Sequence, residues 1–174
     1  MKKLFIVSLS AILILTSVFF SGSVSSAAAK ETKILEFGTM IGVPRPYTGA
    51  TNAIRGVPGG GLPWVVGFAE GELQADGKIE VTVRGLLIDP NDPAAIAAGR
   101  AGTNPSPSFK AIVSCLSRDA GGNPTTVNVS TGLFPADAGG NAEIEETLSL
   151  PMPCIAPIVF VTSPTGSWFA ATGL

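Results

Sequence analysis

Two pairs of glutamates have the spacing that acid–base catalysis on a β-strand would need. Glu70 and Glu72 lie two residues apart, and so do Glu143 and Glu145, so each pair shares one face of a strand. Same-face neighbours are roughly 7 Å apart, within the range of about 5–9.5 Å that separates the two carboxyl groups of a glycosidase. The same spacing occurs on any half-exposed strand, where glutamates keep the sheet soluble. The pairs therefore allow a carbohydrate-active hydrolase without requiring one.

Most other catalytic chemistries lack their residues. The chain contains no histidine, which excludes Ser-His-Asp and Cys-His machinery and most zinc and copper sites. The glycine run that begins at Gly59 is not followed by Lys-Ser or Lys-Thr, so it is not a phosphate-binding loop. We therefore expect no catalytic residue and no cofactor, and we interpret the chain as a protein that is not an enzyme.

An oxygen-rich segment, Asp89, Asn91 and Asp92, is the only candidate for a metal site. Calcium binds the carboxylate and amide oxygens of such loops, so a calcium-stabilised adhesion domain is a further alternative. The EF-hand spacing is absent, and Pro90 and Pro93 flank the cluster as they would in an ordinary turn. We therefore expect no metal site.

The segment 43–61 is rich in proline and glycine and offers exposed side chains for binding. Functional loops are commonly carried by rigid scaffolds, so this segment is the candidate binding loop. Aromatic residues more often fill a core, which is the expectation for Trp64 and Phe169. The candidate loop residues are Arg45, Tyr47, Gly59, Gly60 and Gly61.

Residues 1–29 have the order of charged and apolar residues that is typical of a secretory signal peptide. A basic start and an apolar run, Leu4–Phe20, precede small residues that end just before Lys30. The run is short for a membrane-spanning helix, which needs ~20 residues, and no charged stop-transfer flank follows it. We therefore expect cleavage to leave residues 30–174 as one secreted or cell-surface domain without a membrane span.

The part that follows the signal peptide is mildly acidic. Without Lys2 and Lys3, nine basic residues face 13 acidic ones, which gives a net charge of −4. Nucleic-acid binding requires several Lys or Arg residues focused on one face, and no basic cluster exists. We expect no nucleic-acid partner, which leaves an extracellular protein or glycan.

Short strands separated by turn residues predict an all-β fold. The chain has 21 Gly, 14 Pro and only 14% charged residues. Asp76-Gly77 suits a type I′ turn, so Trp64–Leu73 and Lys78–Ile88 should pair as a hairpin. About eight strands favour an antiparallel β-sandwich of Ig-like or Greek-key type over a Greek-key β-barrel. The other predicted strands are Ile34–Met40, Phe109–Arg118, Thr125–Phe134, Ala142–Leu150, Cys154–Thr162 and Ser167–Thr172.

The two cysteines, Cys115 and Cys154, both follow the signal peptide. An even pair in an oxidising compartment predicts a disulfide, and two buried free thiols are the alternative. The bond would close a loop of about 40 residues, for which the chain-entropy relation gives on the order of 3–4 kcal/mol of stabilisation. It would tie the strand that holds Cys115 to the start of the strand that holds Cys154.

Three segments, Glu72–Leu86, Phe109–Cys115 and Cys154–Pro164, resemble a group of secreted bacterial all-β proteins that has no assigned activity. The resemblance covers most of the chain from Ile54 onward. It implies a secreted all-β domain and transfers no catalytic residue. The function that we predict is a non-catalytic secreted or cell-surface β-sandwich module with a binding or structural role.

Overall fold

The computed structural model describes residues 32–173, so the expected signal peptide lies outside the described residues. In the described part, twelve strands and one short helix follow one another. They are β1 (Lys33–Phe37), β2 (Ile41–Gly42), β3 (Trp64–Val65), β4 (Phe68–Gln74), β5 (Lys78–Arg84), β6 (Leu87–Ile88), α1 (Pro93–Ala97), β7 (Ser108–Arg118), β8 (Pro124–Ser130), β9 (Phe134–Pro135), β10 (Ala142–Thr147), β11 (Ile155–Thr162) and β12 (Trp168–Ala171).

The strands form two antiparallel sheets around one hydrophobic core. Sheet one has the order β1-β4-β5-β10, and sheet two has the order β2-β12-β11-β7-β8 with β9 also paired to β7. Strands β3 and β6 pair with each other as a separate two-stranded sheet. Within residues 32–173 no sheet closes into a barrel, which confirms the predicted all-β sandwich. The largest fully buried side chains of the core are Trp168, Phe109, Phe160, Leu73, Ile79, Leu86 and Ile144.

Each of the two strands predicted for the hairpin is interrupted at the end far from the turn. The segment Trp64–Leu73 breaks into β3 and β4, and Lys78–Ile88 breaks into β5 and β6. The break occurs because Gly85 takes a φ of 65°, which a glycine adopts without strain, and its neighbours leave the sheet. The freed ends β3 and β6 pair with each other instead. Eight of the observed strands have four residues or more, close to the predicted number.

The β4–β5 hairpin is confirmed, but its turn is not of type I′. A type I′ turn requires positive φ at both central residues, and in this turn only Gly77 has one, at 95°. The N–H of Gly77 donates to the Gln74 carbonyl over 3.0 Å, and the Asp76 carboxylate accepts from the N–H of Lys78 over 3.0 Å. This geometry is a three-residue loop in which glycine follows a type I turn.

The disulfide between Cys115 and Cys154 is confirmed. Its two Cα atoms lie 4.9 Å apart, and it closes a chain separation of 39 residues. Cys115 is fully buried on β7, and Cys154 directly precedes β11. The bond therefore locks two neighbouring central strands of sheet two in register.

One pentapeptide, Asp-Ala-Gly-Gly-Asn, occurs twice as a turn, at 119–123 between β7 and β8 and at 137–141 between β9 and β10. In each turn the first carbonyl accepts from the second glycine. The side chain and backbone amide of the asparagine in the first turn lower the pKa of Asp119. The backbone amide and side chain of the matching asparagine lower the pKa of Asp137. The same local sequence thus builds the same hydrogen-bonded turn twice.

The segment 43–61 lies against the outer face of sheet two. The Arg55 guanidinium donates to the Ser114 carbonyl over 2.9 Å and to the Ala156 carbonyl over 2.8 Å. The Asn128 side chain on β8 donates to the Arg55 carbonyl over 3.0 Å. These contacts bond a segment without regular strands to three strands of the sheet, which gives it a defined shape.

Candidate functional site

A groove on the surface brings Arg45, one of the predicted binding residues, together with Asp89 and Asp92 of the predicted metal candidate. One side of the groove is formed by β2 and the first residues of the segment 43–61, and the other side by β3 and the turn that precedes α1. The groove encloses about 570 Å³. We call it the Arg45 groove. Its walls include Ile41, Pro44, Arg45, Pro63, Val65 and Asp92.

Arg45 and Asp92 form a two-bond ion pair at the rim of this groove. The Arg45 Nε donates to Asp92 Oδ2 over 3.0 Å, and Nη2 donates to Oδ1 over 3.2 Å. The Asp92 side chain is only 7% exposed, whereas that of Arg45 is 55% exposed. The Arg45 guanidinium, together with the backbone amide of Ala95, lowers the pKa of Asp92. The carboxylate therefore stays ionised and holds the guanidinium in one place.

The position of Asp92 follows from the local sequence of α1. Asp92 is the N-cap of this helix, and its Oδ1 accepts from the N–H of Ala95 over 3.0 Å. Aspartate is among the preferred N-cap residues, and Pro93 suits the first helical position because its missing N–H would have no partner there. The cap fixes the carboxylate on the groove side of the turn, where Arg45 reaches it.

The contacts of Asp89, Asn91 and Asp92 are those of a turn and a helix cap. Asp89 Oδ1 accepts from the N–H of Asn91 over 2.8 Å, as in a turn stabilised by its own side chain. Both oxygens of Asp92 accept from Arg45, whose positive charge opposes a cation at this point. Across residues 32–173 no group of three or more acidic, cysteine or histidine side chains is placed to hold a metal ion. Calcium binding, which the sequence left as an alternative to the expected absence of a metal site, stays untested, and none of these contacts favours it.

The other candidate loop residues are placed apart from the groove or are packed. Gly59 and Gly60 are buried, and a Cβ on Gly59 would lie 2.0 Å from the Tyr47 carbonyl. The N–H of Gly60 donates to the Trp168 carbonyl over 2.8 Å. Only Tyr47 and Gly61 are exposed besides Arg45. Two of the glycines thus serve close backbone packing, and of the candidate set only Arg45 lines the groove.

Two exposed aliphatic side chains, Ile41 and Val65, contribute apolar surface to the groove. Ile41 is 45% exposed and Val65 is 38% exposed, although each belongs to a strand of the fold. Sequence reasoning missed both because β2 and β3 have two residues each, too few to show a period. Trp64, which directly precedes Val65, is buried and stacks on Phe169 with ring centroids 3.7 Å apart, as expected for core aromatics.

The glutamate pairs lie on the exposed face of sheet one, in rows that cross its strands. In one row Glu72 pairs across the strands with Glu36 and Glu80, and Glu80 pairs with Glu145. Glu70 and Glu143 flank Thr82 in the next row. The sequence placed each pair on one face, and the structure brings both pairs to the same face.

Basic side chains neutralise part of this glutamate face. Lys33 Nζ lies 2.6 Å from Glu72 Oε2, and Arg84 Nη2 lies 3.2 Å from Glu143 Oε1. The hydrogen bond from Lys33, followed by that from Gln74, lowers the pKa of Glu72. A glycosidase acid requires a raised pKa, so the shift at Glu72 runs opposite to that requirement. The shallow depression that contains Glu70 and Glu72 encloses about 230 Å³.

No family model, curated protein or solved structure matches the chain. The resemblance to secreted bacterial all-β proteins therefore stays a prediction. In the part of the chain that the structure describes, no helix is long and apolar enough to cross a membrane.

Proposed function

We propose that the protein is a non-catalytic binding module of the cell exterior that holds its ligand in the Arg45 groove. The observation that carries the proposal is the ion pair at the rim, which orients a half-exposed guanidinium beside exposed aliphatic side chains. A guanidinium has five N–H donors, and Asp92 accepts from only two of them. The remaining donors face a ligand rich in oxygen acceptors, either an extended protein segment or a glycan.

The alternative is a hydrolase that uses the glutamate pairs. The glutamate face favours it less, because Glu72 and Glu143 are ion-paired with basic neighbours. The direction of the pKa shift at Glu72 also favours a permanently ionised surface carboxylate over a general acid. Because the sequence has no histidine, such a hydrolase would depend mainly on these carboxylates for acid–base catalysis.

Binding of the secreted protein to a glycan array and to immobilised peptides tests the proposal. Val65→Asp places a charge in the groove and should weaken binding at least tenfold, which is about 1.4 kcal/mol. Leu133→Asp is the matched control, because Leu133 is 57% exposed and does not line the groove. The melting temperatures of both variants are measured alongside binding, so that a loss of affinity is separated from a loss of folding.

Two results would contradict this function. Equal ligand binding by the Val65→Asp variant and the native protein would show that the ligand does not bind in the Arg45 groove. Turnover of a glycan substrate that is lost in Glu70→Gln or Glu143→Gln would establish the hydrolase instead.

A further inference from the structure

Strand β8 differs from the other edge strands of the two sheets. Free edges are usually protected against pairing by charges, bulges or shortness. In sheet one, β1 carries a register shift after Lys33, and β10 carries the glutamates of the segment 142–147. In sheet two, β2 has only two residues. Strand β8 has seven residues, no charged side chain and no register shift against β7.

The hydrogen-bond pattern shows which backbone groups of β8 point away from the sheet. The N–H of Asp119 donates to the Asn123 carbonyl, and the N–H of Thr131 donates to the Ala111 carbonyl, each over 2.9 Å. The register between these two pairs is continuous. Because bonded and non-bonded pairs alternate in an antiparallel ladder, the odd-numbered residues of β8 bond to β7. The even-numbered residues direct their backbone groups outward.

The outward backbone groups of Thr126, Asn128 and Ser130 form a row of donors and acceptors at the protein surface. All three residues are exposed, and within residues 32–173 their outward N–H and C=O groups have no backbone partner beyond the sheet. Pro124, which lacks an N–H, occupies the first outward position at the end of the strand. The row is thus an open template for one further extended strand.

We propose that β8 is the interface of a symmetric homodimer, in which β8 pairs antiparallel with β8 of a second copy. The two-fold axis passes between Asn128 of one copy and Asn128 of the other, so the backbones of these two residues hydrogen-bond to each other. Thr126 then bonds to Ser130 of the second copy, and Ser130 to Thr126 of the second copy. Each outward residue donates one bond and accepts one, and the two sheets join into one continuous sheet.

The side chains of β8 favour a second copy over a charged partner strand. In this register Val127 of one copy lies opposite Val129 of the other as a non-hydrogen-bonded pair, for which Cα atoms are about 4.5 Å apart. Both valines are half-buried in the single chain, so pairing covers their remaining apolar surface. No like charges meet across the axis, because β8 has none. This self-complementarity is what a two-fold interface requires.

The interface is small, so association should depend strongly on concentration. Seven residues span about 23 Å, and one strand pair buries less than the ~1,200 Å² of a standard interface. Sedimentation velocity of the secreted protein should therefore show dimer at high micromolar and monomer at low micromolar concentration. A protein that stays monomeric throughout this range would overturn the proposal.

Cross-linking tests the register itself. Thr126→Cys and Ser130→Cys should form a disulfide with each other when the two variants are mixed and mildly oxidised, because a bonded antiparallel pair has Cα atoms about 5.5 Å apart. Neither variant alone should cross-link, since each cysteine is about 13 Å from its own copy along the strand. Equal cross-linking in the mixed and the single samples would contradict the register.

Two substitutions separate dimerisation from folding. Thr126→Pro removes an N–H that the single chain does not use, and the double variant Thr126→Lys/Ser130→Lys places a pair of lysines opposite each other on either side of the axis without touching the Asn128 side chain that bonds to Arg55. Each should weaken dimerisation at least tenfold and leave the near-ultraviolet circular dichroism spectrum unchanged. Unchanged dimerisation in a folded Thr126→Lys/Ser130→Lys variant would overturn the proposal even if Thr126→Pro fails to fold.

Discussion

Reduction of the Cys115–Cys154 disulfide should remove about 4 kcal/mol from the free energy of unfolding. The bond closes a separation of 39 residues, for which the chain-entropy relation gives about 13 cal/mol/K, or about 3.9 kcal/mol at 25 °C. A domain has ~5–15 kcal/mol of stability in total, so this loss is a large fraction. The thermal midpoint should fall by roughly 8–16 °C.

Urea unfolding of the oxidised and the reduced native protein, followed by tryptophan fluorescence, measures this difference. Reduction retains both sulfur atoms in the protein, so the comparison changes the packing of the core less than their removal would. The double variant Cys115→Ala/Cys154→Ala should lose more, because Cys115 is fully buried and its sulfur leaves a cavity. That variant is also the control, since reductant should not alter it. Oxidised and reduced proteins that unfold within about 1 kcal/mol of each other would refute the loop-closure reasoning.

The repeated turns supply two further predictions. Gly140→Ala should destabilise far more than Gly122→Ala, because a Cβ on Gly140 would lie 2.2 Å from the Leu86 carbonyl, whereas Gly122 has nothing within 4 Å. Gly140 and Gly122 both have positive φ, 72° and 82°, so the backbone strain is similar and the difference in thermal stability between the two variants reports the steric clash. Equal losses of stability would contradict the packing of the second turn. The pKa values of Asp119 and Asp137 are lowered in the fold. The two carboxylates therefore stabilise the folded protein fully above the unfolded pKa near 3.9, and this stabilisation is lost as pH falls through the lower folded pKa values. Asp119→Asn/Asp137→Asn should therefore flatten the acid limb of the stability profile, and an unchanged limb would contradict these hydrogen bonds.

Several parts of the fold could be predicted because their signals are local. The Asp76-Gly77 turn and the alternation that follows it predicted the β4–β5 hairpin, and the cysteine pair predicted the disulfide. The same local signals joined β3 to β4, since nothing in the run Trp64–Leu73 indicates where the chain leaves the sheet. The turn type was wrong because a glycine in third position permits a three-residue loop as readily as a two-residue one.

The candidate site was predicted only in fragments. Arg45 and Asp92 were identified separately, for binding and for calcium, and their ion pair joins positions 47 residues apart. Gly59 and Gly60 were predicted to belong to a binding loop, but their lack of a side chain lets them pack closely against Tyr47 and against Trp64 and Phe169, respectively. Such roles depend on which atoms lie opposite, and a single sequence does not record that.

Composition and periodicity by themselves determined the class of fold, the main hairpin and the covalent bond, because each depends on residue type and short-range spacing. The tertiary structure alone decided that a capping aspartate would orient Arg45, that Ile41 and Val65 would remain exposed, and that β8 would lie at an edge. These outcomes depend on how two sheets pack and which strands become neighbours. Packing between distant segments is set by the shape and burial of the whole core, to which each residue contributes only a small part.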